Sequence, residues 1–203
     1  MAKFQLSTFT FQLSKLLVGA TFVFSGFVKA IDPLGTTYKI QDYLEVMHLG
    51  WFSELALVAS FALITAEFLA GMLLITNVNF KVGLWLSTLL MLAMTPLTLW
   101  IALENPVTDC GCFGDAIILS NWATFWKNIL LDALIIALWL LQKRVHRTWL
   151  TPFPSWTLTI TFSLITIGVG IHSLNNLPFI DFRPYKIGNN ILEGMELPEG
   201  AVR

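Results

Sequence analysis

Five stretches of about twenty mostly apolar residues run through this chain, each long enough to cross the hydrocarbon core of a bilayer as a helix. The first runs from Leu13 to Ile31 and stops at Asp32-Pro33. The second runs from Trp51 to Thr76. The third runs from Val82 to Leu103 and contains Pro96, an expected kink. The fourth runs from Trp122 to Leu141. The fifth runs from Trp156 to Leu174, with Pro152 and Pro154 before it and Pro178 after it. Tyr38, Tyr43, Trp51, Trp122, Trp126, Trp149 and Trp156 sit near the ends of these stretches, where amphipathic rings meet headgroups. Charged residues make up only 12% of the chain against 56% hydrophobic, too few to cover a soluble domain of 203 residues. The expected fold is therefore an all-α polytopic membrane helical bundle set in a lipid bilayer. A net charge of −1 and the lack of a basic stripe argue against nucleic acid as a partner.

The first stretch has some features of a secretory signal, but Lys29 interrupts the only small-residue cleavage context, so it reads as a spanning helix. Loop charges give the orientation. Lys143, Arg144, His146 and Arg147 follow the fourth stretch with no acid among them, which places that connection in the cytoplasm. Alternation then puts Lys3, the N-terminus and Lys81 inside as well. The loops Asp32–Gly50 and Glu104–Asn121 fall outside, and both are acidic on balance. The C-terminal tail from Pro178, with Asp181, Arg183, Pro184, Gly188, Asn189 and Asn190, is expected outside and is too short to fold alone.

The chain has two cysteines, Cys110 and Cys112, separated only by Gly111 in the outer loop. Three readings are open. In the first the pair is two unrelated small residues or a static disulfide, which across one residue would close a very small loop and stabilise little. A redox pair is the second reading: so short a bridge is strained, strained disulfides are readily reduced, and Gly111 and Gly114 give the backbone the freedom it needs. The third is a metal site in which His48 and His172 join the two thiolates.

Ionisable groups inside spanning segments are costly and tend to be functional. Lys29, Glu54, Asp132 and His172 all map near the outer ends of their helices. They are expected to form one polar layer beneath the cysteine loop, unless Lys29 and Glu54 merely reach the headgroups and Asp132 pairs with Lys127 or Asn128. Glu67 is the most deeply placed acid, about 20 Å along its helix from Glu54 at the usual rise. Lys15 lies at a suitable depth to pair with it, and a neutral hydrogen-bonded acid is equally acceptable there. Gly19, Gly26, Ala70 and Gly71 would let helices approach closely around these groups.

The runs Lys15-Leu16-Leu17-Val18-Gly19, Phe24-Ser25-Gly26-Phe27-Val28-Lys29 and Asp32-Pro33 resemble the first helix of DoxX-like membrane proteins. Glu67-Phe68-Leu69-Ala70-Gly71 resembles their second helix, and Cys110-Gly111-Cys112-Phe113-Gly114 resembles the outer loop of the MauE branch. The resemblance covers roughly Lys15 to Gln142. It implies a four-helix core over residues 1–142 with the cysteine loop at 104–121. A basic cytoplasmic loop at 143–155, a fifth transmembrane helix at 156–174 and an extracytoplasmic tail at 175–203 extend that core. In related variants with a tail like Asp181-Phe182-Arg183-Pro184-Tyr185 a further domain can follow, and here the chain stops at Arg203.

MauE-type proteins are thought to support disulfide formation in an exported partner, and the arrangement is similar to quinone-linked thiol oxidases of the vitamin K epoxide reductase and disulfide-bond-forming classes. On that resemblance Cys110 and Cys112 carry the redox step, supported by Gly111, Phe113 and Gly114. A membrane quinone would sit near Lys29, Glu54, Asp132 and His172. Those classes usually carry a second cysteine pair, which this chain lacks, so electrons would pass directly. The expectation is a multi-pass thiol–disulfide redox protein of the bacterial inner membrane that exchanges electrons with exported proteins. The alternatives are a non-catalytic accessory subunit of a larger membrane or envelope complex, and a Cys/His metal-binding membrane protein.

Overall fold

A computed structural model describes residues 2–107, 109–145 and 152–182. The basic residues His146 and Arg147, the interfacial Trp149, and the tail from Arg183, including Pro184, Tyr185 and Gly188 to Asn190, lie outside the described residues. Among these residues six helices follow in order: α1 (Ala2–Ile31), α2 (Pro33–Val46), α3 (Ala56–Thr76), α4 (Phe80–Glu104), α5 (Asn121–Val145) and α6 (Pro152–Asn175). Short 3-10 turns cover Gly50–Leu55 and Gly114–Ala116. There are no strands among the described residues. All the helices except α2 are long and apolar enough to cross a membrane, so the chain is an all-α polytopic membrane bundle. Leu89, Leu92, Leu130, Leu140 and Leu164 stand exposed on outward faces, the arrangement expected where the surrounding solvent is lipid.

Helices α1, α3, α4 and α5 make the core. Phe11, Val18, Leu74, Phe80, Leu84, Met91, Ile135 and Leu138 meet inside it. The closest pairing is α1 with α3, and glycines set it. A Cβ on Gly26 would lie 2.6 Å from the backbone nitrogen of Phe68, and one on Gly71 would lie 2.5 Å from the carbonyl oxygen of Gly19. Small residues at these points let the two backbones touch, as the sequence suggested. The turn between α3 and α4 is tight because Asn77 and Asn79 adopt left-handed conformations, which asparagine tolerates. Asn79 also donates to Thr159 Oγ1 at 3.0 Å, tying α6 to this turn. Helix α6 packs on the outside of α3 and α1.

The main departure from the sequence reading is α2. The segment Asp32–Gly50 was expected to be a loop, yet Pro33–Val46 is helical. Asp32 accepts a hydrogen bond from the Gly35 amide at 3.0 Å, and Pro33 occupies the first turn, where its missing N–H costs nothing. Helix α2 packs along α3 beyond the end of α1. Helix α6 begins at Pro152 rather than Trp156, because its prolines fall in the first turn, where they are tolerated. Helix α4 continues through Pro96.

Candidate functional site

The cysteine loop sits at the end of the bundle where α2 lies. Its base is closed by Asn121, whose side-chain nitrogen donates to Asn105 Oδ1 at 2.6 Å and to the Val107 carbonyl at 3.1 Å. Three contacts then clamp the loop from outside. Lys39 Nζ meets Asp109 Oδ1 at 2.7 Å, while Asp109 Oδ2 accepts from the Gly111 amide at 2.9 Å. Tyr43 donates to the Cys110 carbonyl at 2.7 Å. Ser25 Oγ lies 2.6 Å from the Cys112 carbonyl. Gly111 has φ 66°, and a side chain there would also press on Lys39, so only glycine suits this position. Phe113 packs edge-on against Phe24, and Lys127 Nζ lies 4.5 Å above the Phe113 ring.

The two thiols are hydrogen-bonded to each other. Cys110 is buried and Cys112 half-buried. The hydrogen bond from Cys110 is the largest influence on Cys112 and favours its thiolate. Burial opposes this, and the ammonium groups of Lys127 and Lys29 reinforce it, so the Cys112 thiol is lowered to about 6. The same hydrogen bond, followed by burial, pushes the Cys110 thiol up. Burial likewise raises the Tyr43 hydroxyl, keeping it a donor.

Below the loop lies a cavity of about 190 Å³. Cys110, Cys112 and Phe113 line it at one side, with Lys29, Lys39, Glu67 and Lys127 as its charged members and Phe22, Leu63, Met94 and Leu97 among its apolar walls. Lys29 Nζ and Glu67 Oε1 form a buried ion pair at 2.6 Å. Ser25 Oγ is 2.7 Å from Glu67 Oε2.

The expected polar layer is not assembled. Lys29 reaches the cavity, but Glu54 is exposed in the turn before α3. Asp132 accepts from Thr95 Oγ1 at 2.8 Å in a separate recess between α4 and α5. Neither Lys127 nor Asn128 is its partner, since Asn128 donates to Thr98 Oγ1. His172 stacks on Phe179 at 4.4 Å, and His48 is exposed in the turn after α2. Neither histidine joins the cysteines, and among the described residues no three His, Cys, Asp or Glu side chains gather into a metal-binding group. Glu67 pairs with Lys29 rather than Lys15. The expected depth failed because α3 extends past the end of α1, so Glu67 is level with the last turns of α1. Ser25, Lys39, Tyr43, Asp109 and Lys127 were not singled out from sequence for this site. A signal existed for three of them: Ser25 stands four residues before Lys29, and Lys39 four before Tyr43, so the members of each pair share a helix face.

The family described as methylamine utilisation protein MauE matches residues 7–141. The chain belongs to the MauE family. The matched segment of this MauE-family chain runs from α1 through most of α5 and so includes the cysteine loop, α2 and the Lys29–Glu67 pair. No significant match was found among curated proteins or among solved structures.

Proposed function

We propose that this MauE-family membrane protein is a thiol–disulfide exchange protein in which Cys112 forms the mixed disulfide with a partner and Cys110 is the buried thiol released as that bond forms. One observation carries the reading: the two cysteines share a loop that lines one cavity with the Lys29 and Lys127 ammonium groups, and Cys112 is half-buried where Cys110 is buried. A disulfide at these positions would oxidise a dithiol of an exported partner through a mixed disulfide at Cys112. The basic run Lys143, Arg144, His146 and Arg147 supports a cytoplasmic N-terminus and cysteines on the oxidising side of a bacterial inner membrane.

The cavity residues fit a lipid-soluble quinone, which when bound supplies a two-electron, two-proton acceptor. Phe22, Leu63, Met94 and Leu97 offer apolar walls for its ring, and Lys29 and Lys127 offer donors for its carbonyl oxygens. Binding of a soluble quinone analogue should slow alkylation of Cys112, and unchanged alkylation at saturating analogue would remove the quinone from the scheme.

The test of the main reading is Cys110→Ser in intact cells. It should accumulate reductant-sensitive adducts with exported proteins on a non-reducing gel, and the adducts should vanish when Cys112 is also replaced. If Cys110→Ser traps nothing while the protein assembles normally, the exchange reading fails and a non-catalytic accessory role takes its place.

A further inference from the structure

The Ser25 hydroxyl has one proton and two acceptors. It lies 2.6 Å from the Cys112 carbonyl and 2.7 Å from Glu67 Oε2, both within the range of a full O–H···O bond. A carbonyl oxygen cannot donate. If Glu67 is ionised it cannot donate either, and one of the two contacts has no proton of its own. If Glu67 carries a proton on Oε2, every bond is made: Glu67 donates to Ser25, Ser25 donates to the Cys112 carbonyl, and Lys29 donates to Glu67 Oε1 at 2.6 Å. These groups are buried, where an unmade bond is expensive. The structure, which has both cysteines as thiols, thus has a geometry in which a proton on Glu67 Oε2 would satisfy every one of these contacts.

We infer that Glu67 is a proton store for the cysteine pair, taking up one of the two protons that accompany reduction of a Cys110–Cys112 disulfide. This rests on the thiol–disulfide reading above. The groups that share the cavity with Glu67 are Lys29 of α1, Lys39 and Tyr43 of α2, Cys110 and Cys112 of the loop, and Lys127 of α5; α4 contributes only apolar residues there. Lys39 is engaged by Asp109, and Lys127 is half-buried over Phe113. Lys29 is therefore the buried cation that must balance either a Glu67 carboxylate or a Cys112 thiolate.

The exchange balances as follows. One thiol of a partner dithiol loses its proton and attacks Cys112 Sγ. The Cys110–Cys112 bond breaks, and Cys110 leaves with the bonding pair and takes up a proton. The second partner thiol loses its proton and attacks the partner sulfur of the mixed disulfide, and Cys112 leaves as a thiolate. The partner has lost two electrons and two protons. One proton is on Cys110, and the other is on Glu67 rather than on Cys112. Lys29 is paired with the Glu67 carboxylate in the disulfide form and faces the Cys112 thiolate in the reduced form.

The test uses the whole protein in lipid nanodiscs, equilibrated with glutathione buffers over about pH 7 to 8, above the Cys112 midpoint of about 6. The slope of reduction potential against pH gives the protons taken up per disulfide. The parent should take up two and Glu67→Gln one, the amide still accepting from Lys29 and donating to Ser25. A slope that is the same in both proteins overturns the proposal. A second measurement needs no change at Glu67. The reduced-minus-oxidised infrared spectrum of the parent should show a protonated carboxyl band that shifts in Ser25→Ala, and its absence overturns the proposal independently. If either fails while Cys110→Ser still traps partners, only the role of Glu67 falls. If the cysteines form no disulfide at all, both readings fall.

Discussion

Lys29 on α1 and Glu67 on α3 form an ion pair 2.6 Å long, with each side chain only 6% exposed. In the disulfide form, where Glu67 is the carboxylate, a buried pair of this kind is weak evidence for stability as a pair, but removing Lys29 strands the Glu67 charge. Lys29→Met should therefore cost about 3–5 kcal/mol. The double variant Lys29→Met/Glu67→Leu should recover most of that loss. Thermal unfolding of the oxidised, detergent-solubilised protein measures both, and a double variant no more stable than the single one would mean that the charges are not the source of the loss.

Glycines at the α1–α3 contact set the level at which that pair meets. Gly26→Ala places a methyl group 2.6 Å from the backbone nitrogen of Phe68, a neighbour that cannot swing aside. The two helices must separate, and the cost should reach about 1–3 kcal/mol, as for other overpacked interiors. Gly168→Ala in α6 meets nothing within 4 Å and should be neutral or slightly stabilising. Comparing the two melting temperatures tests the packing argument, because both substitutions add the same methyl group.

The spanning helices were legible in the sequence because each is a continuous apolar run, and continuity is the one signal that lipid imposes. Helix α2 was not legible by that criterion. Its composition is mixed, with Tyr38, Lys39, Gln41 and Asp42 among Leu34, Ile40 and Leu44, and length and hydropathy alone made it a loop. Its start was nevertheless written in Asp32-Pro33, a helix cap followed by a first-turn proline, which was read only as the end of α1. Missing α2 also hid its two site residues, Lys39 and Tyr43. The cysteine pair was visible because its spacing is local. The partner of Glu67 was not, because it depends on the register between two helices. Segment ends do not give that register, because α1 and α3 do not end at the same level.

The lowered Cys112 thiol has a direct consequence for reactivity. The thiolate is the nucleophile, so alkylation of Cys112 should rise about tenfold per pH unit up to about 6 and be nearly flat above it. An unperturbed thiol would still be gaining rate well above neutrality. Lys127→Met removes one of the charges that favour the thiolate and should move the midpoint upward. Iodoacetamide labelling of the Cys110→Ser protein would not serve here, because that variant replaces the thiol donor that lowers Cys112 most with a hydroxyl, a different donor. The measurement belongs on the reduced parent, with the site of labelling read by peptide mass. A midpoint near that of a free thiol would contradict the geometry described.

Tyr43 reaches from α2 to the Cys110 carbonyl, a contact of 2.7 Å that holds the loop alongside the one from Ser25 of α1 to the Cys112 carbonyl. Tyr43→Phe keeps the ring and deletes the donor. The net loss should be about 0.5–1.5 kcal/mol, small for the whole protein but concentrated on one short loop. Amide exchange at residues 109–114 should therefore quicken in Tyr43→Phe while exchange in α1 and α3 does not change. The same variant leaves the Cys112 carbonyl bonded to Ser25, so the midpoint of Cys112 alkylation should move much less than in Lys127→Met. If exchange quickens equally in the loop and in α3, Tyr43 supports the bundle as a whole, and the clamp on the cysteine loop is not its specific role.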